Sequence, residues 1–254
     1  MVEGTSRTTT SEHEAYSAGQ ESLKLVLLPG MDGTGDLFTE FVRFLPAWIV
    51  PQIVSYPANQ KLSYTQIRAR VQSVLPKSEP FAILAESFSS PLAVSIAANR
   101  PKNLKAVVIC AGFVSPPIDG LPSLILRSLG SALFAFRAPD VAIRRYLVGK
   151  SAPDELVRIV ATTVSTVAPG VLSHRLRAVL KCDVRDELRS VSVPLLFVEA
   201  AQDQLLRKRS VTDINIRDAK PDTTFVVIDG PHLILQTQPR KVGEMLADFL
   251  RICG

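Results

Sequence analysis

The sequence predicts one α/β domain in which a mostly parallel β-sheet is covered by helices on both faces and carries a helical cap insertion. Three observations lead to this fold class. Short apolar segments alternate with helical segments along most of the chain, the alternation is interrupted once at 113–181, and a serine stands where a strand passes directly into a helix. Such alternation predicts right-handed crossovers between neighbouring parallel strands.

The composition fits a single globular domain with a full hydrophobic core, because 46% of the 254 residues are apolar and 21% are charged. Lys and Arg number 29 against 24 Asp and Glu, which gives a formal charge of +5. This excess is dispersed apart from Arg207-Lys208-Arg209, whereas a nucleic-acid binder usually concentrates it on one face. We therefore expect no nucleic-acid partner.

The three cysteines, Cys110, Cys182 and Cys253, match neither a zinc site nor a disulfide framework in number and spacing. Cys110 stands in an apolar run, so we expect it to be a small core residue. A reducing compartment and a protein without bound metal or cofactor are the resulting expectations.

The N-terminal segment 1–20 is polar and almost free of aliphatic side chains, which predicts a disordered tail. It lacks the apolar stretch of a secretory signal peptide, and no run in the chain is long and apolar enough to suggest a transmembrane helix. We therefore expect a cytoplasmic protein without a membrane span. The oligomeric state does not follow from the sequence.

The core of the domain is predicted at 21–112 and 182–254. Its strands share short, nearly continuous apolar runs, as a parallel sheet buried on both faces requires. They are predicted at 23–28, 49–56, 81–85, 104–111, 193–200 and 223–228. Apolar residues at helical spacing predict the helices of the core at 37–45, 63–75, 91–99, 208–216 and 239–252.

Residues 113–181 are predicted to form the helical cap inserted into this core. Its helices are expected at 121–136, 140–148, 155–167 and 171–180. Asp140 and Ser151 are the expected N-caps, and Pro153 suits a first helical turn. The apolar residues Leu124, Leu126, Leu129, Leu133, Phe134 and Phe136 are expected either to form the core of the cap or to line a pocket beneath it.

Ser87 stands at the strand-to-helix junction, in the sequence Ala85-Glu86-Ser87-Phe88-Ser89. A sharp turn of this kind strains its central residue and lifts that side chain clear of the sheet, while the positions two residues away need small side chains. Ala85 and Ser89 meet that need, although they replace both glycines of the usual Gly-x-Ser-x-Gly pattern. A serine N-cap on an ordinary helix is the alternative interpretation.

Four polar features follow predicted strands: a glycine-rich turn that starts at Gly30, then Ser87, Asp203 and His232. Because the carboxyl ends of parallel strands meet at one edge of a sheet, these features are expected to lie together. The glycine spacing in the turn matches neither a dinucleotide-binding fingerprint nor a P-loop, so another use is the delivery of backbone N–H groups to an oxyanion.

The chain order Ser87, Asp203, His232 resembles the α/β-hydrolase family. The motifs Pro29-Gly30-Met31-Asp32-Gly33-Thr34-Gly35 and Gly230-Pro231-His232 also resemble it, although the His often found before the first glycine is Pro29 here. The resemblance covers about Leu23 to the C terminus. Bacterial hydrolases of unassigned function share Pro-Gly-x-Asp-Gly-Thr-Gly and Ala-Glu-Ser-Phe-Ser, which supplies no substrate.

The resemblance implies that Ser87 is a nucleophile, His232 its general base and Asp203 the acid that orients the imidazole. The backbone N–H groups of Met31 and Phe88 are expected to form the oxyanion hole. Asp229 is the rival acid, but it is close in sequence to His232.

Three further residues near the predicted nucleophile are ambiguous. Ser89 and Ser90 are rival nucleophiles, but we expect both to lie inside the helix. Glu86 faces either the pocket or the sheet, and the sequence leaves this open.

The leading functional hypothesis is a carboxylesterase-like serine hydrolase that cleaves small-molecule esters of small-to-medium apolar acyl groups. A thioesterase or acyltransferase with the same triad is the alternative within enzymes. A non-catalytic binding protein with the hydrolase fold is the alternative from a different functional class.

Overall fold

The structure is a computed structural model that describes residues 22–117, 134–135, 138–206 and 215–253. The predicted tail at 1–20 lies outside these residues, as do most of the predicted helix at 121–136 and the greater part of the one at 208–216. Residues 215–219 are helical, so that helix continues three residues beyond its predicted end.

Six strands form one sheet in the order β2-β1-β3-β4-β5-β6, and every neighbouring pair is parallel. The strands are β1 (Leu23–Leu28), β2 (Ile49–Ile53), β3 (Phe81–Glu86), β4 (Leu104–Cys110), β5 (Leu195–Ala200) and β6 (Thr224–Ile228). The predicted fold class is confirmed. β2 is shorter than predicted because the chain leaves the sheet after Ile53, and the N–H of Tyr56 instead donates to the carbonyl of Gly33 at 2.7 Å.

The strand order reverses between β1 and β3, since the chain moves outward from β1 to β2 and then returns to the other side of β1. In open α/β sheets the crevice at such a reversal is where ligands bind, at the carboxyl ends of the strands. The turn after β1 and the serine after β3 therefore face each other across this crevice.

Helices cover both faces of the sheet and the carboxyl ends of its strands. They are α1 (Tyr64–Val74), α2 (Ser90–Ala98), α3 (Asp140–Ile143), α4 (Asp154–Ser165), α5 (Pro169–Val179), α6 (Arg185–Arg189), α7 (Ile234–Thr237) and α8 (Pro239–Cys253). α1 begins at a capping box in which Ser63 and Gln66 each accept from the other's backbone N–H.

Alternate residues of each strand point to opposite faces and feed two hydrophobic clusters. Ile83 packs with the residues beneath α1 and α2, whereas Leu84 packs with those beneath α8. Cys110 is fully buried in the second cluster, as predicted for a small core residue.

Two predicted N-caps are wrong. Asp140 is already the first residue of α3, and Pro139 before it occupies the cap position in an extended conformation. Pro153 takes the corresponding place at α4, so Ser151 lies two residues too early to cap it. In both cases a proline with a fixed φ directly precedes the helix, and it makes no side-chain cap hydrogen bond. Pro153 therefore lies just before the first helical turn in which it was predicted.

The helix predicted at 37–45 is also different, because it forms two 3₁₀ turns, Asp36–Phe38 and Phe41–Phe44. Gly35 enters the first turn in a left-handed conformation, with φ 83°. Leu45 ends the second in an extended conformation, as expected for a residue that precedes a proline.

Between β4 and β5 the described residues contain helices α3 to α6 and no strand. α3 continues as a π-helical turn, Arg144–Val148, and α6 and α7 are short helices that the sequence did not predict. α3 and α4 enclose a small apolar cluster that also includes Leu37 and Leu233 of the core. The exact division of the chain at 113–181 stays a prediction, and of its six apolar candidates only Phe134 is described, packed against the cluster around Leu172.

In the described ranges no single helix has the length and apolar composition to cross a membrane, although α4 and α5 meet that test as a pair with a 95° bend between them.

Candidate active site

Ser87 has the strained backbone that the strand-to-helix turn predicts. Its φ is 46°, in the left-handed region that non-glycine residues rarely adopt, and such conformations cost about 1–3 kcal/mol. The residue directly follows β3 and starts a 3₁₀ turn, Ser87–Ser89, that runs directly into α2. Ala85 and Ser89, two residues to either side, are fully buried, so larger side chains have no space there.

Ser89 does more than fit the available space. Its hydroxyl donates to the carbonyl of Pro29, and the Tyr56 hydroxyl lies 2.7 Å from Ser89 Oγ. Because the single proton of Ser89 is used on Pro29, Tyr56 is the donor in the second bond. Burial raises the pKa of Tyr56 far above its ordinary value, which keeps that donor protonated. A serine in place of the usual glycine therefore ties the nucleophile turn to the turn after β1.

The structure brings Ser87, His232 and Asp203 together from three different strand ends. His232 Nε2 lies 2.9 Å from Ser87 Oγ, and His232 Nδ1 lies 2.6 Å from Asp203 Oδ2. His232 and Asp203 are both buried, at 3% and 7% exposure. The sequence prediction that these three residues lie together is confirmed in geometry.

Asp203 is held in an acceptor role on both of its oxygens. Its Oδ1 accepts from the backbone N–H groups of Leu205 at 2.7 Å and Leu206 at 2.9 Å. Burial alone raises the pKa of Asp203, but His232 and these N–H donors outweigh it, so the pKa lies below its usual value. The carboxylate therefore accepts from His232 Nδ1–H, which leaves Nε2 free to accept the proton of Ser87.

The rival residues lie elsewhere. Asp229 is exposed and accepts a 2.8 Å hydrogen bond from Gln202, so it does not occupy the place beside His232. Ser90 is the first residue of α2, and its hydroxyl donates to the carbonyl of Ser87 at 2.7 Å. Ser89 is not inside α2 as predicted, because the 3₁₀ turn precedes the α-helix.

The turn after β1 lies against the same cavity as the nucleophile, since Gly30, Met31, Ser87, Phe88 and His232 all line it. The N–H of Gly33 donates to the carbonyl of Gly30 at 3.1 Å and closes the turn. Tyr64 supports the other side of the site, because its hydroxyl donates to the carbonyl of Phe88 at 2.9 Å and the two rings stack.

Glu86 is a buried carboxyl beside the site, and the sequence did not assign it a role. It is 1% exposed, and its Oε1 has no hydrogen-bond partner among the described residues. Burial, and then the nearby charge of Asp32, raises the pKa of Glu86 to about 7. The available sequence signal was a charged residue that ends an otherwise apolar strand directly before the nucleophile.

The cavity above Ser87 has a volume of about 200 Å³ and mostly apolar walls. The helices that follow β4 and the segments joining them supply Leu147, Val160, Val164, Leu172, Leu176, Val179 and Leu180. Phe113 and the loop after Asp203, with Leu205 and Leu206, complete the described wall. This apolar lining was anticipated only in general terms, from the composition of the insertion.

No protein-family profile matches the chain. A pimeloyl-[acyl-carrier protein] methyl ester esterase from Neisseria meningitidis serogroup C is 26% identical over 252 residues, which covers 94% of this chain and 98% of that relative. Among solved structures, a hydrolase from Oleispira antarctica superposes with a TM-score of 0.77 at 15% identity, over 92% of both chains. MenH from S. aureus superposes with a TM-score of 0.74, also at 15% identity, over 93% of this chain and 96% of MenH.

The chain has the α/β-hydrolase fold. The solved structures share this fold at 15% identity, and the meningococcal relative is named as an ester hydrolase. In this fold the glycine-rich turn, the strained serine and the histidine loop follow β1, β3 and β6 at the carboxyl edge of one sheet, as the resemblance of the motifs implied.

Glu86 generates a prediction about stability. Its folded-state pKa of about 7 lies above the unfolded value of about 4.3, so the folded state binds more protons between these values. The free energy of unfolding therefore falls as pH rises through this window, by on the order of 4 kcal/mol in full. Glu86→Gln removes the titration, and the variant should gain stability relative to the wild type as pH rises from about 5 to 8.

Urea unfolding at several pH values measures this difference. Glu244→Gln, which changes an exposed glutamate on α8, is the matched control and should keep the pH dependence of the wild type. Parallel stability curves for Glu86→Gln and the wild type would show that Glu86 does not titrate in this window.

Proposed function

We propose that this chain is a carboxylic ester hydrolase in which Ser87, His232 and Asp203 form the catalytic triad. The observation that carries the proposal is a continuous pair of hydrogen bonds, from Ser87 Oγ to the imidazole of His232 and from the imidazole to Asp203. The backbone of Ser87 is strained, as expected at a nucleophile turn. Three groups with these roles at this spacing are what nucleophilic acyl transfer requires.

The reaction begins with attack of Ser87 Oγ on the ester carbonyl carbon, while His232 Nε2 takes the serine proton. Collapse of the tetrahedral intermediate expels the alcohol, which receives that proton from His232 and leaves an acyl-serine. A water molecule then repeats the sequence, releases the carboxylic acid and regenerates Ser87. Asp203 holds the imidazole in the correct tautomer and stabilises its charged form throughout.

The oxyanion of each tetrahedral intermediate would be held by the backbone N–H groups of Met31 and Phe88. Phe88 follows the nucleophile directly and lies at the start of the new helix, where N–H groups and the helix dipole favour negative charge. Met31 stands opposite, on the turn after β1. Both residues line the cavity that contains Ser87.

The acyl group of the substrate is proposed to be apolar and of small to medium size. The walls of the cavity are mostly Leu and Val side chains, so they offer burial of methylene groups and few polar partners. Its volume of about 200 Å³ lies below the roughly 300–1,000 Å³ typical of sites for drug-sized ligands. These dimensions favour short chains over the long chains of lipids.

The meningococcal relative supports the reaction type. It is an esterase for the methyl ester of pimeloyl-[acyl-carrier protein], which is a carboxylic ester. We infer ester hydrolysis for this chain but not the same substrate, because 26% identity leaves the residues of an acyl pocket free to differ.

The central prediction concerns Ser87. A fluorophosphonate probe should label this residue in the wild type, and purified protein should hydrolyse members of a panel of p-nitrophenyl esters and acyl-thioesters. Ser87→Ala should lose both the labelling and the activity. Mass spectrometry of the adduct identifies the residue, and labelling at Ser89 or Ser90 with an active Ser87→Ala variant would remove Ser87 from its role.

The acid of the triad is tested by two matched substitutions. Asp203→Asn should fold but lose about 10⁴ in kcat, because the amide no longer orients and stabilises the imidazolium. Asp229→Asn changes an exposed carboxylate of the neighbouring loop and should retain nearly full activity. Steady-state kinetics on one ester decide the assignment, and the reverse pattern would identify Asp229 as the acid.

Chain length tests the size of the pocket. Burial of an acyl methylene contributes about 0.8 kcal/mol, so two more carbons should raise kcat/KM by roughly tenfold until the chain meets the wall. We expect a maximum at short-to-medium chains and weak activity on emulsified triolein. Measurement of kcat/KM for C2 to C16 p-nitrophenyl esters gives the profile. A maximum at C16 together with activation at an oil surface would instead indicate a lipase.

A further inference from the structure

Arg175 is a buried arginine on α5 whose guanidinium contacts the turn after β1. It is 2% exposed. Its Nη1 donates to the carbonyl of Met31 at 2.9 Å and to that of Asp32 at 2.7 Å. Its Nη2 donates to the carbonyl of Pro57 at 3.1 Å, on the loop after β2. One side chain therefore joins three elements that are far apart in the sequence.

The glycine-rich turn is shaped around this guanidinium. Gly33 has a φ of 70°, and a Cβ placed on it would lie 2.5 Å from Arg175 Nη1. The backbone N–H of Tyr56 donates to the carbonyl of Gly33 at 2.7 Å, which anchors the same turn to the segment that carries Pro57. The glycine-rich turn thus packs closely around a side chain of its own protein.

These contacts determine where the N–H of Met31 points. The carbonyl of Gly30 accepts from the N–H of Gly33 inside the turn, at 3.1 Å. A trans peptide directs its carbonyl and its N–H to opposite sides, so the N–H of Met31 points away from the interior of the turn. Arg175 fixes the next two peptide carbonyls, of Met31 and Asp32, and so prevents this segment from rotating.

The environment of Arg175 keeps the guanidinium in place. It lies 5.8 Å from the ring centre of Tyr56 and 6.0 Å from that of Phe88, within the range of cation–π attraction. Burial lowers the pKa of Arg175, while the charge of Asp32 opposes that effect. An arginine nevertheless remains charged in proteins, and its planar fork suits several carbonyl acceptors at once.

We propose that Arg175 is a positioning residue that holds the oxyanion turn in its catalytic geometry from the helices that follow β4. The inference rests on the proposed function, because Met31 is the donor that it positions. It couples two parts of the chain: if α5 moves away, three backbone carbonyls lose their donor and the N–H of Met31 loses its fixed direction. The helices that follow β4 therefore contribute to the chemical step as well as to the walls of the pocket.

Kinetics of Arg175→Met and Arg175→Lys test this role. A misplaced group in an active site costs about 10²-fold, so Arg175→Met should lower kcat by about that factor with little change in KM. Arg175→Lys keeps the charge but lacks the fork, and its kcat should lie between those of the wild type and Arg175→Met. Arg177→Met removes an exposed arginine of the same helix and should behave like the wild type.

Two readouts separate positioning from a loss of folded protein. Each kcat is referred to the concentration of active sites titrated with fluorophosphonate. Inhibition by a trifluoromethyl ketone, which forms an oxyanion on the enzyme, should weaken in parallel with kcat in Arg175→Met. The matching analogue with a methylene group in place of the ketone carbonyl forms no oxyanion, so its binding should not weaken. Equal weakening of both compounds, or a change in KM alone, would overturn the proposal.

Hydrogen exchange tests the contact independently of activity. In Arg175→Met the amides of residues 30–35 should exchange faster than in the wild type, whereas those of β3 should not change. Unchanged exchange at 30–35 overturns the inference, whatever the kinetics show. If the wild type hydrolyses no ester or thioester but exchange at 30–35 rises in the variant, Arg175 holds the turn and only the proposed function fails.

Discussion

The left-handed backbone of Ser87 is the constraint on which the surrounding structure depends. A residue in that conformation persists only where its neighbours leave no alternative, and here β3 and α2 are packed into the core on both sides of it. The small residues Ala85 and Ser89 allow the strand and the helix to approach closely. The hydroxyl of Ser89 then binds Pro29 and fixes the distance between the serine and the turn after β1. The strained backbone of Ser87 and the position of the turn after β1 therefore depend on the same close packing of β3 and α2.

Buried polar groups near Ser87 are matched to partners in most cases, which gives the site its fixed geometry. Asp203 bonds to two N–H groups and an imidazole, Tyr56 to a hydroxyl, and Arg175 to three carbonyls. Each bond replaces water that the group would otherwise need, so a loss of one partner leaves a buried group that costs about 1–3 kcal/mol. Glu86 is different because one of its oxygens has no partner among the described residues, and burial, followed by the charge of Asp32, raises the pKa of its carboxyl group.

The helices between β4 and β5 line the cavity and also contact the core segments that carry the proposed catalytic residues. α4 and α5 supply apolar wall, and they also pack against residues that belong to the core. Leu37 and Leu233 join the cluster of α4, while Met31 packs against the cluster of α5. In the proposed mechanism the N–H of Met31 binds the oxyanion, and Leu233 directly follows His232, which takes the proton. A change of packing in these helices therefore reaches both groups. Under the proposed function, specificity and catalysis are accordingly not independent properties of separate segments.

The sequence by itself determined which segments form strands. It also identified Ser87, Asp203 and His232 as three residues that lie together. Apolar runs identify buried strands, and chain order places Asp203 and His232 on neighbouring loops, so neither inference needs coordinates. It misplaced the N-caps at Asp140 and Ser151. Pro139 and Pro153 compete for these cap positions, and local sequence rules do not decide whether the polar residue or the proline takes the position. Only the tertiary structure placed Asp203 rather than Asp229 within hydrogen-bond distance of His232, and only it revealed the structural roles of Ser89 and Glu86 and the one we propose for Arg175. Those roles arise from contacts such as Arg175 with Met31, 144 positions apart, and such contacts depend on how helices pack rather than on local sequence.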